Sequence, residues 1–367
     1  MKFACQKNTL LREIVLALDF TSQRNTLSIV SNVLLETYGN TLVIKATDQK
    51  VGFSSTIPVE TIEEGSTTVF CDKFLGILRT LPDENIIFEE LGDKLFIHPE
   101  KKSIDFELRT IAADKYPALE DAAKHEYFAL SQKDLFDMID QTIFAISDDE
   151  TRYFMNGVYL EQESDGLVMV ATDGRRLSYI KRKLDQAVPS FTPVIIPAKF
   201  LTLLKKAGTG EGQIFLSVSE SVIFAKFGSQ FMYSTLIKGQ FPNYRRVIPA
   251  SQSNTCKLSI AEMNEALKRV SLLVENKAKR MYLDIEAGGI TISSEESDFG
   301  QAKEIIRCDY AGDPCRLAMN YSYLVSPLRV MEGDSCAICF TESNKAVTVK
   351  PDPEKDYFHI IMPMQID

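Results

Sequence analysis

Apolar positions along this chain change their period at intervals. In MKFACQKNTLLREIVLAL, at the N-terminus, they alternate and then fall at helical spacing, which predicts a short strand running into an amphipathic helix. The same switch recurs in YFALSQKDLFDMIDQTIF near residue 127 and in TCKLSIAEMNEALKRVSLL near residue 255. In the second copy Leu135, Met138, Ile139 and Thr142 or Ile143 mark the apolar stripe, so a helix is expected over 131–144. Asn8, Ser131 and Ser259 stand where helix N-caps belong. A second landmark repeats as well. VFCDKFLGILRTLP (69–82), VIIPAKFLTLLKKAG (194–208) and RLAMNYSYLVSPLRVMEG (316–333) each read as strand, helix, then a stop at Pro or Gly. Between the helices lie β-branched stretches such as NTLVIKATD, GLVMVATDG, QIFLSVSESVIFAKFG and GGITISS, separated by turn signals.

The spacing of these landmarks is nearly constant. Lys73-Phe74-Leu75 returns as Lys199-Phe200-Leu201, Ala46-Thr47-Asp48 as Ala171-Thr172-Asp173, and Lys115-Tyr116-Pro117 as Gln240-Phe241-Pro242, each about 125 residues on. Tyr323-Leu324 continues the series. The 367 residues therefore divide into three tandem domains, 1–122, 123–252 and 253–367. Units of this size are far longer than solenoid repeats, so each owns a core. Each reads strand, helix and several strands, repeated once within itself, which is an α+β domain with internal pseudo-symmetry.

Composition narrows the picture. No apolar run approaches a membrane span, and the N-terminus carries charge where a signal peptide would be apolar, so a cytoplasmic protein is expected. The seven cysteines are scattered through apolar segments and make no disulfide framework; Cys336 and Cys339 lie on a strand-like stretch and read as core residues rather than metal ligands. His98, His125 and His359 are isolated, and no P-loop, GxGxxG or GxSxG stretch occurs. No catalytic residue, metal or cofactor is assigned. The Ser147-Asp148-Asp149-Glu150 run is the one candidate for a divalent cation, which keeps a metal-dependent DNA-processing enzyme as the alternative reading; a solvated loop is the blander one. A purely structural scaffold is a further reading.

Net charge is −10, which opposes nucleic acid unless the charge is segregated. Basic residues do cluster around the repeated helices: Lys7, Arg12 and Arg24 at the first, Lys73 and Arg79 at the second, Lys199, Lys205 and Lys206 at the fourth, Lys268 and Arg269 at the fifth. Such faces can touch phosphates without reading bases, and charge alone leaves this and an ordinary mixed-charge face both open.

Several longer motifs carry a resemblance: MKF at the start, Arg24-Asn-Thr-Leu27, Arg152-Tyr-Phe-Met-Asn-Gly157, Ala171-Thr-Asp-Gly-Arg-Arg-Leu177, Phe241-Pro-Asn-Tyr-Arg-Arg-Val-Ile-Pro249 and Ile361-Met-Pro-Met364. In these the chain resembles, along its whole length, the bacterial sliding clamps, the beta subunits of DNA polymerase III. The resemblance implies a DNA clamp fold, with two helices packed on antiparallel sheets in each domain. It further implies a head-to-tail homodimer that closes into a ring around duplex DNA without sequence specificity and tethers the replicative polymerase. Implied DNA contacts are Arg24, Lys73, Tyr153, Phe154, Lys199 and Asp149, the last a carboxylate where the family often has a neutral polar residue. The implied joint sets Lys73, Ile77, Leu81, Lys101 and Lys102 against Leu272, Leu273, Glu295, Glu296, Asp298 and Glu304. The implied pocket for short clamp-binding peptides of polymerases, clamp loader and repair proteins comprises Arg152, Met155, Thr172, Gly174, Arg175, Arg176, Leu177, Pro242, Arg246, Val247, Asn320, Tyr323, Val347, Ile360, Met362, Pro363 and Met364. Arg175 stands where the family often has His, and Gln365-Ile366 where it often has Arg-Leu.

Overall fold

The structure is a computed structural model that describes residues 1–22, 28–121, 125–184 and 186–365. Arg24, Ile366 and the expected boundary at 122/123 lie outside the described residues.

Among the described residues there are six α-helices: α1 (Lys7–Phe20), α2 (Cys71–Thr80), α3 (Gln132–Asp140), α4 (Ala198–Ala207), α5 (Ile260–Val270) and α6 (Tyr321–Val330). Each follows directly on a strand, the switch of period seen in the sequence. The helix ends show what local pattern misses. Ser259 caps α5, its Oγ accepting the Glu262 N–H at 3.4 Å. Asn8, however, is not a cap. The strand runs on to Gln6, which occupies that position without a side-chain bond, and the Lys7 N–H is satisfied by the Glu84 carbonyl at 3.1 Å. The expected helix over 131–144 also stops early, at Asp140. The Thr142 hydroxyl bonds back to the Met138 carbonyl at 2.7 Å, and the chain tightens into a 3-10 turn at Ile143–Ala145.

The chain packs as two compact units. The first comprises Met1–Lys133 and Lys199–Leu236. Its sheet has 13 strands, running from Phe128–Ser131 at one edge to Glu60–Glu63 at the other. Its α1 and α2 bury Leu10, Ile14, Ala17, Phe20, Phe74, Leu75 and Leu78 against that sheet. Phe88 ties α2 to the N-terminal strand Lys2–Gln6, stacked on Phe3 at 4.8 Å and edge-on to Phe74 at 5.9 Å. The second unit, Asp134–Ala198 and Ile237–Asp367, holds an 8-stranded and a 4-stranded sheet, with Met263, Ala266, Leu267, Leu324 and Leu328 of α5 and α6 in its core.

The named strand pairings are all antiparallel, which with the six helices makes this an α+β fold. The compact units do not follow the sequence repeats, because the sheets run through from one repeat to the next. Strand Gln230–Thr235 of the middle third pairs with Val51–Pro58 of the first, Met232 opposite Phe53. Strand Arg176–Lys183 likewise pairs with Tyr357–Ile361 near the C-terminus. Cys336 and Cys339 are buried on the strand Ser335–Phe340.

Candidate functional site

The sequence repeat at Ala-Thr-Asp is one turn built twice. At 47–51 the Thr47 hydroxyl donates to the Val51 carbonyl and accepts the Gln49 N–H, while Asp48 Oδ1 accepts the N–H groups of Lys50 and Val51, each at 2.9 Å. At 172–176 the Thr172 hydroxyl donates to the Arg176 carbonyl and accepts the Gly174 N–H, and Asp173 Oδ1 accepts the N–H groups of Arg175 and Arg176. Thr and Asp are required because their short oxygens satisfy the turn's own amides. The third residue has a left-handed backbone in both, φ +74° at Gln49 and +88° at Gly174. Glycine takes it in the second copy, where a Cβ would stand 3.1 Å from Arg152 Nη1.

What differs is the second oxygen of each aspartate. Asp173 Oδ2 accepts from Arg176 Nε at 3.0 Å. That guanidinium also donates to the Phe144 carbonyl at 2.5 Å and lies over the Tyr323 ring at 4.6 Å. Arg176 is therefore a brace. Arg152 is a second one, donating through Nη1 to the Asp173 carbonyl at 3.0 Å and through Nε to Asp149 at 2.9 Å.

Beside the second turn lies a pocket of about 140 Å³, lined by Met155, Thr172, Gly174, Arg175, Arg176, Leu177, Pro242, Asn243, Tyr244, Val247, Ile360 and Met362. Leu177 and Ile360 are directly opposed across two paired strands. The Met362 N–H donates to the Arg175 carbonyl at 2.9 Å and holds the C-terminal segment against the turn. Behind the wall, Val168, Val170, Ile195, Phe241 and Tyr244 form a buried cluster with Leu177 and Ile360. The buried Glu161 carboxylate accepts from the Tyr244 hydroxyl and from Arg245 at 2.5 Å, which locks Tyr244 into that wall. Burial and the Glu161 charge both push the Tyr244 hydroxyl's pKa well above the usual phenol range. Asn243 and Tyr244 were missed in the sequence, although they lie inside the Phe241–Pro249 stretch that carries the resemblance.

A second depression, about 390 Å³ and polar, is lined by Arg152, Asn320 and Tyr323 together with Arg175, Arg176, Lys279 and Asp149. The two depressions share Arg175 and Arg176. Four of the residues expected with the pocket line neither. Arg246 is exposed on the turn Tyr244–Arg246. Val347 is fully buried opposite Ile361, because its strand turns it into the core. Pro363 and Met364 are half-buried, with the Met364 N–H bonded to the Ala318 carbonyl at 2.7 Å.

Of the DNA candidates, Tyr153 and Phe154 form an edge-to-face pair at 5.8 Å packed on Gly239. Asp149 caps its own turn, accepting from Thr151 N–H, Thr151 Oγ1 and Arg152. Thr151 and Arg152 hold its carboxyl below the usual range. Lys73 is exposed on α2, and Lys199 pairs with Asp48 at 2.7 Å.

The joint candidates divide similarly. Lys101 and Lys102 are exposed and Ile77 half-buried, but Leu81 is 3% exposed: the residue after α2 turns inward and backs the face instead of forming it. In the second unit Leu272 is exposed and Leu273 half-buried, near exposed Glu296 and Asp298. Glu295 is engaged by Arg280 at 3.1 Å and Glu304 by Arg269 at 2.7 Å. Phe299 and Ile305, 90% and 68% exposed, were not among the joint candidates, because apolar character reads as core in a sequence. Among the described residues no group of three His, Cys, Asp or Glu side chains converges as a metal site requires.

Comparison with known proteins agrees along the whole chain. Residues 1–120, 129–243 and 245–365 match the N-terminal, central and C-terminal domain families of the DNA polymerase III beta subunit. The beta sliding clamp of Treponema pallidum is 41% identical over 371 residues, covering 100% of both chains. Crystal structures of a Bacillus subtilis DNA polymerase sliding clamp (26% identity, TM-score 0.95) and of a Pseudomonas aeruginosa sliding clamp bound to griselimycin (28% identity, TM-score 0.94) each superpose over 100% of both chains. With three domain families matched in order and a relative of this similarity over the full length, the chain belongs to the DNA polymerase III beta subunit family, the bacterial sliding clamps.

Proposed function

We infer that the protein works as a DNA sliding clamp, two copies closing head to tail into a ring that encircles duplex DNA and tethers the replicative polymerase for processive synthesis. The observation that carries this reading is the match to the three beta-subunit domain families in order. Encirclement needs only weak phosphate contacts, so a net charge of −10 is compatible with it. The partition into 1–122, 123–252 and 253–367 remains our assignment. Lys73, Tyr153, Phe154 and Lys199 are the DNA contacts we favour. The protein acts as a processivity factor without catalysis of its own, alongside the replication machinery in the cytoplasm. Among the described residues no helix is long and apolar enough to cross a membrane.

We assign the pocket at Gly174–Leu177 to short peptides of the polymerase, the clamp loader and repair proteins. Exposed Met362 and Val247 around a small apolar pocket, with a rigid proline rim and a polar depression alongside, suit an extended peptide carrying apolar anchors. The joint is assigned to Lys73, Ile77, Lys101 and Lys102 against Leu272, Leu273, Phe299 and Ile305 with Glu296 and Asp298, opposite charges flanking an apolar centre. Lys303–Arg307 is an edge strand in the second unit, which leaves its backbone open to pairing with a second copy.

Loader-dependent retention on circular DNA tests the function. The protein is expected to stay on a closed circle and to run off once the circle is cut. Equal loss from both forms overturns the clamp reading, and turnover of labelled DNA with Mg²⁺ favours the metal-dependent enzyme.

A further inference from the structure

An open groove of about 810 Å³ in the first unit has Asp19, Asp48, Lys50, Lys199 and Lys206 in its lining. Two ion pairs cross it. Lys199 Nζ on α4 meets Asp48 Oδ2 of the Thr-Asp turn at 2.7 Å, and Lys206 Nζ, two turns further along α4, meets Asp19 Oδ2 near the end of α1. The lysines are half-exposed and the carboxylates more enclosed, so both pairs lie at the groove surface. Burial would raise the Asp48 carboxyl, but Lys199 and the Val51 and Lys50 amides outweigh it and keep it ionised. The lining cation Lys50 has no carboxylate partner among the described residues.

We propose that Asp19 and Asp48 are built-in competitors for the DNA backbone: each occupies a lysine that a phosphate takes over transiently, so that the groove binds duplex weakly and releases it easily. The inference rests on the sliding-clamp reading and adds Lys206 as a phosphate contact regulated by Asp19, with Asp48 regulating Lys199. Chemically, a phosphate oxygen replaces a carboxylate oxygen at the same ammonium, and no bond is made or broken. A lysine with an internal partner exchanges one anion for another, while a lysine without one gains a new attraction. The latched arrangement therefore lowers both affinity and the salt dependence of binding. The Asp48 geometry permits a clean test. Its Oδ1 holds the turn and its Oδ2 holds the lysine, so Asp48→Asn keeps the turn acceptor and removes the charge.

The experiment is fluorescence anisotropy of the intact dimer with a labelled duplex between about 25 and 200 mM salt, using Asp19→Asn/Asp48→Asn and the same pair combined with Lys199→Gln/Lys206→Gln. The first variant is expected to bind severalfold tighter at low salt, with a log–log salt slope steeper by up to about 1 per released lysine. Removing the lysines is expected to abolish that gain. Unchanged affinity and slope in the first variant overturn the proposal. So does a gain that persists without the lysines, which assigns it to net charge. Failure of the unaltered protein in the circle-retention assay overturns the clamp reading itself, an outcome read independently of the variants.

Discussion

At the scale of single residues, the same Thr-Asp turn serves two purposes according to what its second carboxylate oxygen holds. Asp48 holds a lysine across a groove, and Asp173 holds Arg176, which also reaches the Phe144 carbonyl and the Tyr323 ring. Arg176→Ala with Leu177→Ala removes one brace and one wall of the pocket. Binding of a labelled clamp-binding peptide is expected to weaken at least tenfold, about 1.4 kcal/mol, while sedimentation still shows a dimer. Gly174→Ala puts a Cβ 3.1 Å from Arg152 Nη1 at a left-handed φ of +88°. It is expected to cost about 1–2 kcal/mol in thermal unfolding and to weaken the same peptide. His359 behaves differently. It is buried, with Nδ1 on Ser178 Oγ at 3.0 Å and Nε2 without a partner. Burial lowers its pKa from 6.5 to about 3. The unfolded chain thus binds a proton that the folded chain refuses between those values, and stability present above pH 6.5 declines as pH falls toward 3. About 2 kcal/mol is expected to be lost by pH 5, and chemical denaturation of His359→Gln should lack this component.

At the scale of elements, each helix packs by a stripe set up directly behind a strand. Leu267 of α5 and Phe74 of α2 are both fully buried. Truncating either to Ala is expected to cost about 2–5 kcal/mol of unfolding free energy, read by chemical denaturation as a lower midpoint at unchanged slope. The period of the apolar positions made these helices legible. Their ends were less so. The first helix has no side-chain cap, and its Lys7 N–H goes to the carbonyl of Glu84, distant in sequence. The third ended early because Thr142 bonded back to Met138. Both depend on partners that a periodic pattern does not encode.

For the whole molecule, the joint between copies is where charge and apolar surface must agree. Reversing the charge of Lys73, Lys101 and Lys102 to Glu sets acidic residues against Glu296 and Asp298. The dimer is expected to dissociate in sedimentation velocity at micromolar concentration, and an unchanged dimer would refute the assignment. Of the surface assigned to this joint, Leu272 was named through the resemblance. Phe299 and Ile305 were not, since exposure is a property of packing and not of residue type.

By itself the sequence determined the strand-to-helix units, their threefold repetition, the α+β class and most of the residues around the Gly174–Leu177 pocket. The units, their repetition and the class follow from periodicity, turn chemistry and self-similarity, while the pocket residues follow from the family resemblance of the longer motifs. The tertiary structure alone decided that the sheets run through the repeats, so that the compact units cut across them. It also decided that Leu81 and Val347 face inward while Phe299 and Ile305 face out, and that Lys199 and Lys206 are already paired with Asp48 and Asp19. In each case the partner lies far away in sequence, and only folding fixes which oxygen, ring or strand edge is within reach.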